Sequence, residues 1–184
     1  LKKPDNGYVL INDKETSDEP QIVNEGDVSY VDQKYTLFRH KTVFKILMYS
    51  VEKFNKEVVD KVKFIKDLLN EWDLSEVEEK YPFQLSGGQK QIIALARVLY
   101  KKPQFLILDE ATSAMDRNTE NFTMNLFEKI KPNCAIFFIS HRLNALRNIA
   151  DVIYVLENKT ISHFGSHNEL MQSDNFYSEY WSSF

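Results

Sequence analysis

The 184-residue sequence contains only five glycines, at positions 7, 26, 87, 88 and 165. None of them belongs to the pattern G-x-x-x-x-G-K-[ST], whose backbone cradles nucleotide phosphates. That loop is therefore absent from these residues. Two of the glycines, Gly87 and Gly88, are adjacent, and a paired glycine lets the backbone approach an anion closely because no Cβ intervenes.

The sequence also has little cysteine, no long apolar run and only a small net charge. The single cysteine, Cys134, excludes an internal disulfide framework and is typical of a small buried side chain in a reducing compartment. No run approaches the roughly 20 apolar residues that span a bilayer, and no signal-peptide pattern opens the chain. The net charge of −4 gives no electrostatic case for nucleic acid. We therefore expect one domain, no nucleic-acid partner, and any membrane function to come from another segment or subunit.

The glycine pair lies in a Ser-Gly-Gly-Gln turn, residues 86–89, which opens a segment with helical periodicity. A helix N-terminus presents unpaired N–H groups and a favourable dipole, so Ser86, Gly87, Gly88 and Gln89 are candidates for binding an anion. Apolar residues at helical spacing follow the turn, namely Ile92, Ile93, Leu95, Ala96 and Leu99. An ordinary helix start remains the alternative interpretation.

A continuous apolar run, residues 105–108, ends in two carboxylates, Asp109 and Glu110. Such a run predicts a strand buried on both faces of a parallel sheet, and ligands bind at the carboxyl ends of these strands. Asp109 there suits a hydrated Mg²⁺ on nucleotide phosphates, and Glu110 suits orienting or deprotonating a water. The alternative is that Asp109 and Glu110 merely begin the next loop, with Asp116 as a helix N-cap.

A second apolar run, residues 135–139, predicts another buried strand and is followed by His141. A polar side chain at that strand end is expected to face the same crevice as Asp109 and Glu110. A solvated loop histidine is the alternative. Residues 28–31 predict a further strand, which leads into Gln33, and an ordinary strand-end amide is the alternative for that residue.

Taken together, residues 85–91, 106–116, and 139–142 resemble the nucleotide-binding domain of an ABC transporter. The resemblance extends over nearly the whole chain. It identifies residues 85–89 with the family's signature motif, Asp109 with the Walker B aspartate, Glu110 with the catalytic glutamate, and His141 with the switch histidine. Residues 113–116, which end in Asp116, match the D-loop, and Gln33 matches the Q-loop glutamine that joins Asp109 at Mg²⁺ through water and nucleotide.

The resemblance implies an α/β fold of the P-loop NTPase type, with ATP and Mg²⁺ as ligands. Residues 1–36 and 101–184 would form the core lobe, and residues 37–100 the helical subdomain that carries the signature motif. Two such domains, identical or different, would sandwich two ATP molecules, each bound by the signature motif of one and the Walker motifs of the other. A transmembrane domain, fused upstream, would place the pair at the cytoplasmic face of a membrane.

Residues 149–157 and 164–170 are similar to exporter-type domains. Two segments depart from that pattern: Lys45 stands where exporters often have asparagine, and residues 81–84 lack the usual glycine. The start at Leu1 resembles the chain just after the Walker A loop, so we expect a piece cut there, or a natural truncation. The other interpretations are a soluble ABC-type ATPase acting in translation or on DNA, and a regulatory cassette without Walker A.

Overall fold

The computed structural model describes residues 10–11, 14–15, 28–32 and 36–183, and strands alternate with helices along them. The chain divides into two compact units, residues 1–141 and 142–184. Described strands of the first unit are β1 (Leu10–Ile11), β2 (Lys14–Glu15), β3 (Val28–Val31), β4 (Phe105–Asp109) and β5 (Ala135–Ile139). Its helices are α1 (Val43–Phe54), α2 (Lys61–Glu71), α3 (Gly87–Leu99) and α4 (Arg117–Ile130), with 3₁₀ turns at Ser75–Val77, Pro82–Gln84 and Lys131–Asn133.

A parallel sheet of β3, β4 and β5, with β4 in the centre, carries the predicted carboxylates. The pairing sets Val31 beside Leu108 and Asp109 beside Ile139, so the carboxyl ends of all three strands lie at one edge. The parallel α/β fold expected from the sequence is confirmed. β1 and β2 form a separate antiparallel pair. Residues 13–20 are polar and predict a loop, but β2 lies within them.

The two faces of the parallel sheet differ in burial. Leu106 and Leu108 on β4 are fully buried, whereas Phe105 is 37% exposed. Phe137 and Ile139 on β5 are likewise 45% and 44% exposed. The prediction of complete burial on both faces is therefore wrong for the described residues, because the side chains that alternate with the core positions are covered only in part.

The helices of the first unit bury apolar side chains, and α1 packs against both α2 and α3. The largest fully buried side chains of this unit, among the residues that the structure describes, are Phe127, Ile46, Leu47, Ile65, Leu69, Ile93, Leu95, Leu106, Leu108, Gln91, Val43 and Val51. Val58, Val62, Ile65 and Leu69 recur on one face of a helical pattern, which predicts a helix that includes Val58. The helix α2 begins only at Lys61. Asp60 ends the preceding loop by accepting a hydrogen bond from Lys63 N at 3.0 Å, which fixes the helix start.

The second unit contains an antiparallel pair, β6 (Ile153–Glu157) and β7 (Thr160–Gly165), with α5 (Leu143–Leu146), α6 (His167–Leu170) and α7 (Phe176–Ser182). The sequence of residues 169–181 predicts one terminal helix, but the structure has two, α6 and α7. Asn175 interrupts the predicted helix because its side-chain oxygen accepts from Ser178 N at 3.0 Å and caps α7. None of the helices in the described ranges has the length and apolar character required to cross a bilayer.

Candidate functional site

Glu110 follows β4 directly and adopts a left-handed backbone conformation, with φ of 53°. Its N–H donates to Ile139 O at 2.9 Å, and its carbonyl oxygen accepts from Ser113 N at 3.1 Å. Ser113 Oγ donates to the same carbonyl at 2.9 Å. A non-glycine residue with positive φ is strained and persists only where its surroundings hold it. These main-chain bonds therefore fix the place from which the Glu110 side chain emerges.

The Glu110 carboxylate meets His141, as the sequence predicts for neighbouring strand ends. His141 N donates to Glu110 Oε1 at 3.0 Å, and the imidazole Nε2 lies 3.6 Å from the same oxygen. The Glu110 side chain is only 11% exposed, whereas that of His141 is 96% exposed. A carboxylate held by a backbone donor beside an open imidazole is suited to orienting a water and accepting its proton.

Asp109, the last residue of β4, contacts the neighbouring strand. Tyr30 on β3 donates its hydroxyl to Asp109 Oδ2 at 2.9 Å. This hydrogen bond raises the pKa of Tyr30, because the phenol must remain protonated to donate it. The bond orients the Asp109 carboxylate at the carboxyl end of the sheet.

The Ser-Gly-Gly-Gln turn of residues 86–89, here called the signature turn, is built as a capping box at the start of α3. Ser86 Oγ accepts from Gln89 N at 3.2 Å, and Gln89 Oε1 accepts from Ser86 N at 3.0 Å. The glycines allow close packing on the loop after β4: a Cβ on Gly87 would lie 2.9 Å from Ala114 Cβ, and one on Gly88 3.2 Å from Ala114 O. Close packing against Ala114 is therefore by itself a reason for glycine at positions 87 and 88.

The turn lines a cleft of about 440 Å³ together with the start of α4. Ser86, Gly87, Gly88 and Gln89 share this cleft with Asp116. The structure therefore gathers the candidate nucleotide-binding residues into two groups: the signature turn with Asp116, and Asp109 with Glu110 and His141. The second group does not line the cleft.

Asp116 is also the N-cap of α4. Its Oδ1 accepts from Asn118 N and Thr119 N, both at 3.0 Å, and its Oδ2 accepts from Thr119 Oγ1 at 3.0 Å. The bond from Thr119 N is the main reason that the pKa of Asp116 is lowered. The prediction that Asp116 is a helix N-cap is thus confirmed. Asp116 also lines the cleft, and its role in binding nucleotide stays a prediction.

The capping role of Asp116 predicts a pH-dependent contribution to stability. Because its folded pKa is lowered, the contribution is complete above the ordinary pKa of about 3.9 and is lost as pH falls through the folded value. We expect Asp116→Ala to lower the melting temperature at pH 7 and to differ less from the wild type near pH 3. Thermal unfolding of the wild type and of Asp116→Ala between about pH 3 and pH 7 measures this difference in melting temperature. A difference that grows on acidification would contradict it.

Gln33 lies outside the described residues, so its predicted role stays a prediction. Within the described ranges no three His, Cys, Asp or Glu side chains cluster as metal ligands. Mg²⁺ bound to a nucleotide needs only one or two carboxylates, because phosphates and water complete its shell. Asp109, a carboxylate fixed at the end of a parallel strand, fits that need.

Two residues that contact the site, Tyr30 and Gln91, were given no role from the sequence. Tyr30 reaches Asp109 only because β3 pairs with β4, and strand register is not visible in the sequence. Gln91 on α3 is completely buried. The sequence did carry a signal for it, since Gln91 is a polar residue directly before the apolar stretch 92–96.

Comparison with known proteins shows the family of the chain. The family model described as ABC transporter matches residues 1–113. The chain is similar to a bacterial Atm1-family ABC exporter with ATP bound, with a TM-score of 0.82 and 25% identity over 98% of this chain and 32% of that one. It also resembles ATP-binding proteins from bacteria and an alga.

The methionine import ATP-binding protein MetN 1 of Shouchella clausii is 36% identical over 172 residues, which are 90% of this chain and 49% of that protein. The sulfate/thiosulfate import ATP-binding protein CysA of Synechococcus elongatus is 31% identical, with 92% and 49% covered. A probable CysA of Chlorella vulgaris is 33% identical, with 92% and 72% covered. The chain spans about half the length of the first two relatives. On the family match and these identities, the chain belongs to the ABC transporter family and falls within its ATP-binding domain.

Proposed function

We propose that the protein to which this chain belongs is an ATP-hydrolysing motor of a membrane transporter. One observation carries the proposal: the Glu110 carboxylate, 11% exposed, is held beside His141 by the 3.0 Å bond from His141 N. A fixed and largely shielded carboxylate next to a solvent-facing imidazole matches the needs of ATP hydrolysis. This reaction demands a positioned water and a proton acceptor.

In the proposed reaction, ATP is the substrate and Glu110 accepts the proton of the attacking water. The bond from that water to the terminal phosphorus forms as the bond to the ADP oxygen breaks, and the products are ADP and phosphate. The His141 ring, 3.6 Å from Glu110 Oε1, is placed to contact the terminal phosphate. Asp109 would hold Mg²⁺, which when bound neutralises phosphate charge.

Residues 86–89 and Asp116 would bind the ATP of a second nucleotide-binding domain. Support comes from their shared cleft and from the N–H groups of the α3 N-terminus, which attract anions. Two such domains, alike or different, would close around ATP and open after hydrolysis, and a transmembrane domain would convert this cycle into transport. The motor would then work at the cytoplasmic face of the membrane, without nucleic acid.

The proposal predicts Mg²⁺-dependent ATPase activity of the intact protein. We expect ATP hydrolysis that is lost on removal of Mg²⁺ with EDTA and restored by adding Mg²⁺ back, because the phosphates need a cation to offset their charge. Phosphate release assays measure the activity, and filter binding measures ATP retention. Absence of both ATP binding and hydrolysis would overturn the motor function in favour of a regulatory cassette.

For the direction of transport we propose export. The likeness of residues 149–157 and 164–170 to exporter-type domains supports this, as does the match to the Atm1-family exporter. Import is the second candidate, favoured by the names of the relatives at 31% and 36% identity. Sequencing the reading frame around residues 1–184 separates the two. Membrane-spanning runs in the same polypeptide support an exporter, and their absence favours an importer.

A further inference from the structure

Gln91 is completely buried in the apolar core, although it carries a polar amide. It lies one turn into α3, just after the Ser86–Gln89 capping box. Burying an amide costs free energy unless hydrogen bonds replace those made with water. The partners of this amide therefore indicate what the residue is for.

Three hydrogen bonds join the Gln91 side chain to one short loop, residues 110–114. Its Nε2 donates to Glu110 O at 3.4 Å and to Ser113 Oγ at 3.3 Å, and its Oε1 accepts from Ala114 N at 3.1 Å. This is the loop that begins with the proposed catalytic carboxylate. Gln91 thus joins the main chain of Glu110 to the helix that starts at the signature turn.

The same loop is pressed against the signature turn through Ala114. A Cβ on Gly87 would fall 2.9 Å from Ala114 Cβ, and one on Gly88 3.2 Å from Ala114 O. The start of α3 and the loop are therefore joined twice, by close packing at the glycines and by the Gln91 amide. Any displacement of the turn must move the loop or break these contacts.

We propose that Gln91 is a positioning residue that couples the signature turn to Glu110. This inference rests on the proposed function and gives a role to Gln91, which lies two positions beyond the 86–89 turn. Glu110 is held on its N–H by Ile139 and on its carbonyl by Gln91 and Ser113. A shift of the turn when nucleotide binds thereby reaches the carbonyl of Glu110 and redirects its carboxylate.

The test compares Gln91→Met with the wild type in the intact protein. Methionine keeps length and apolar packing but lacks the amide donor and acceptor. We expect kcat to fall at least about tenfold with KM for ATP changed less than about threefold, since a small misplacement of a reacting group costs up to about 10²-fold. Hydrogen exchange of the Ala114 amide should become faster. Gln104→Met, the same change at an exposed position, should leave both values unaltered.

Two further variants keep the test decisive if Gln91→Met does not fold. Gln91→Glu retains an acceptor for Ala114 N but turns an oxygen toward Glu110 O, so kcat should also fall. Ser113→Ala removes one partner from Nε2, and combining it with Gln91→Glu should give a smaller loss than the product of the single losses, as expected for contacting residues.

The outcomes separate this inference from the proposed function. If the wild type neither binds nor hydrolyses ATP, the proposed function fails. If the wild type is active and the folded Gln91 variants keep its kcat, with only their melting temperatures lowered, Gln91 is a purely structural residue and the inference is wrong. A fall in kcat with unchanged KM and faster Ala114 exchange supports it.

Discussion

Glu110→Gln in the intact protein is expected to lower kcat for ATP hydrolysis by about 10²–10⁴-fold, the usual contribution of a general base. Glutamine has nearly the same shape, and its Oε1 can still accept the bond that His141 N gives to Glu110 Oε1 at 3.0 Å. The site should therefore keep its geometry but lose the proton acceptor. ATP binding should persist, so the variant should accumulate with ATP bound and the nucleotide-binding domains closed.

Phosphate release under saturating ATP and size-exclusion chromatography with ATP measure the two effects. Glu79→Gln is the matched control, because Glu79 is an exposed glutamate of the same unit that lies outside the site. It should hydrolyse ATP at the wild-type rate. Undiminished hydrolysis by Glu110→Gln would remove Glu110 from the catalytic role, and loss of ATP binding would show that the substitution disturbed the fold.

Phe127→Ala is expected to cause a large loss of stability, about 3–5 kcal/mol in the free energy of unfolding. Phe127 on α4 is fully buried, and its ring meets that of Phe138 on β5 edge-on, with centroids 5.7 Å apart. Truncation leaves a cavity between the helix and the sheet that carries Asp109. Urea unfolding of the intact protein, followed by fluorescence, measures the change.

Phe83→Ala provides the control for that experiment, since Phe83 is 77% exposed. An exposed side chain of the same type should change the unfolding free energy by no more than about 0.5 kcal/mol. A loss below about 1 kcal/mol for Phe127→Ala would contradict the central place of this ring in the core. Equal losses of unfolding free energy in Phe127→Ala and Phe83→Ala would also contradict it.

Strands of the core were the most predictable part of the fold. The strands predicted at residues 28–31 and 135–139 have the same bounds as β3 and β5, because both segments are rich in the β-branched and aromatic residues that favour strands. Helix ends were less predictable. Side-chain caps decide them, as Asp60 does for α2 and Asn175 for α7, and a cap competes locally with the periodic pattern.

The meeting of Glu110 with His141 was predictable for a topological reason: each follows a strand end, and parallel strands finish at the same edge. Contacts that depend on strand register or on side-chain burial could not be predicted from the sequence. Tyr30 reaches Asp109 through the pairing of β3 with β4, and the Gln91 amide bonds a loop 19–23 positions further along the chain. The roles assigned to residues 86–89, Asp109, Glu110, Asp116, His141 and Gln33 stay predictions.

The left-handed backbone of Glu110, with φ of 53°, sets stability against activity at a single position. Glycine adopts this conformation without strain, and asparagine tolerates it better than most residues. Replacing Glu110 with glycine would relieve a strain of order 1 kcal/mol. The same change would remove the carboxylate that the proposed reaction needs, so a gain in backbone stability at this position would come with a loss of hydrolysis.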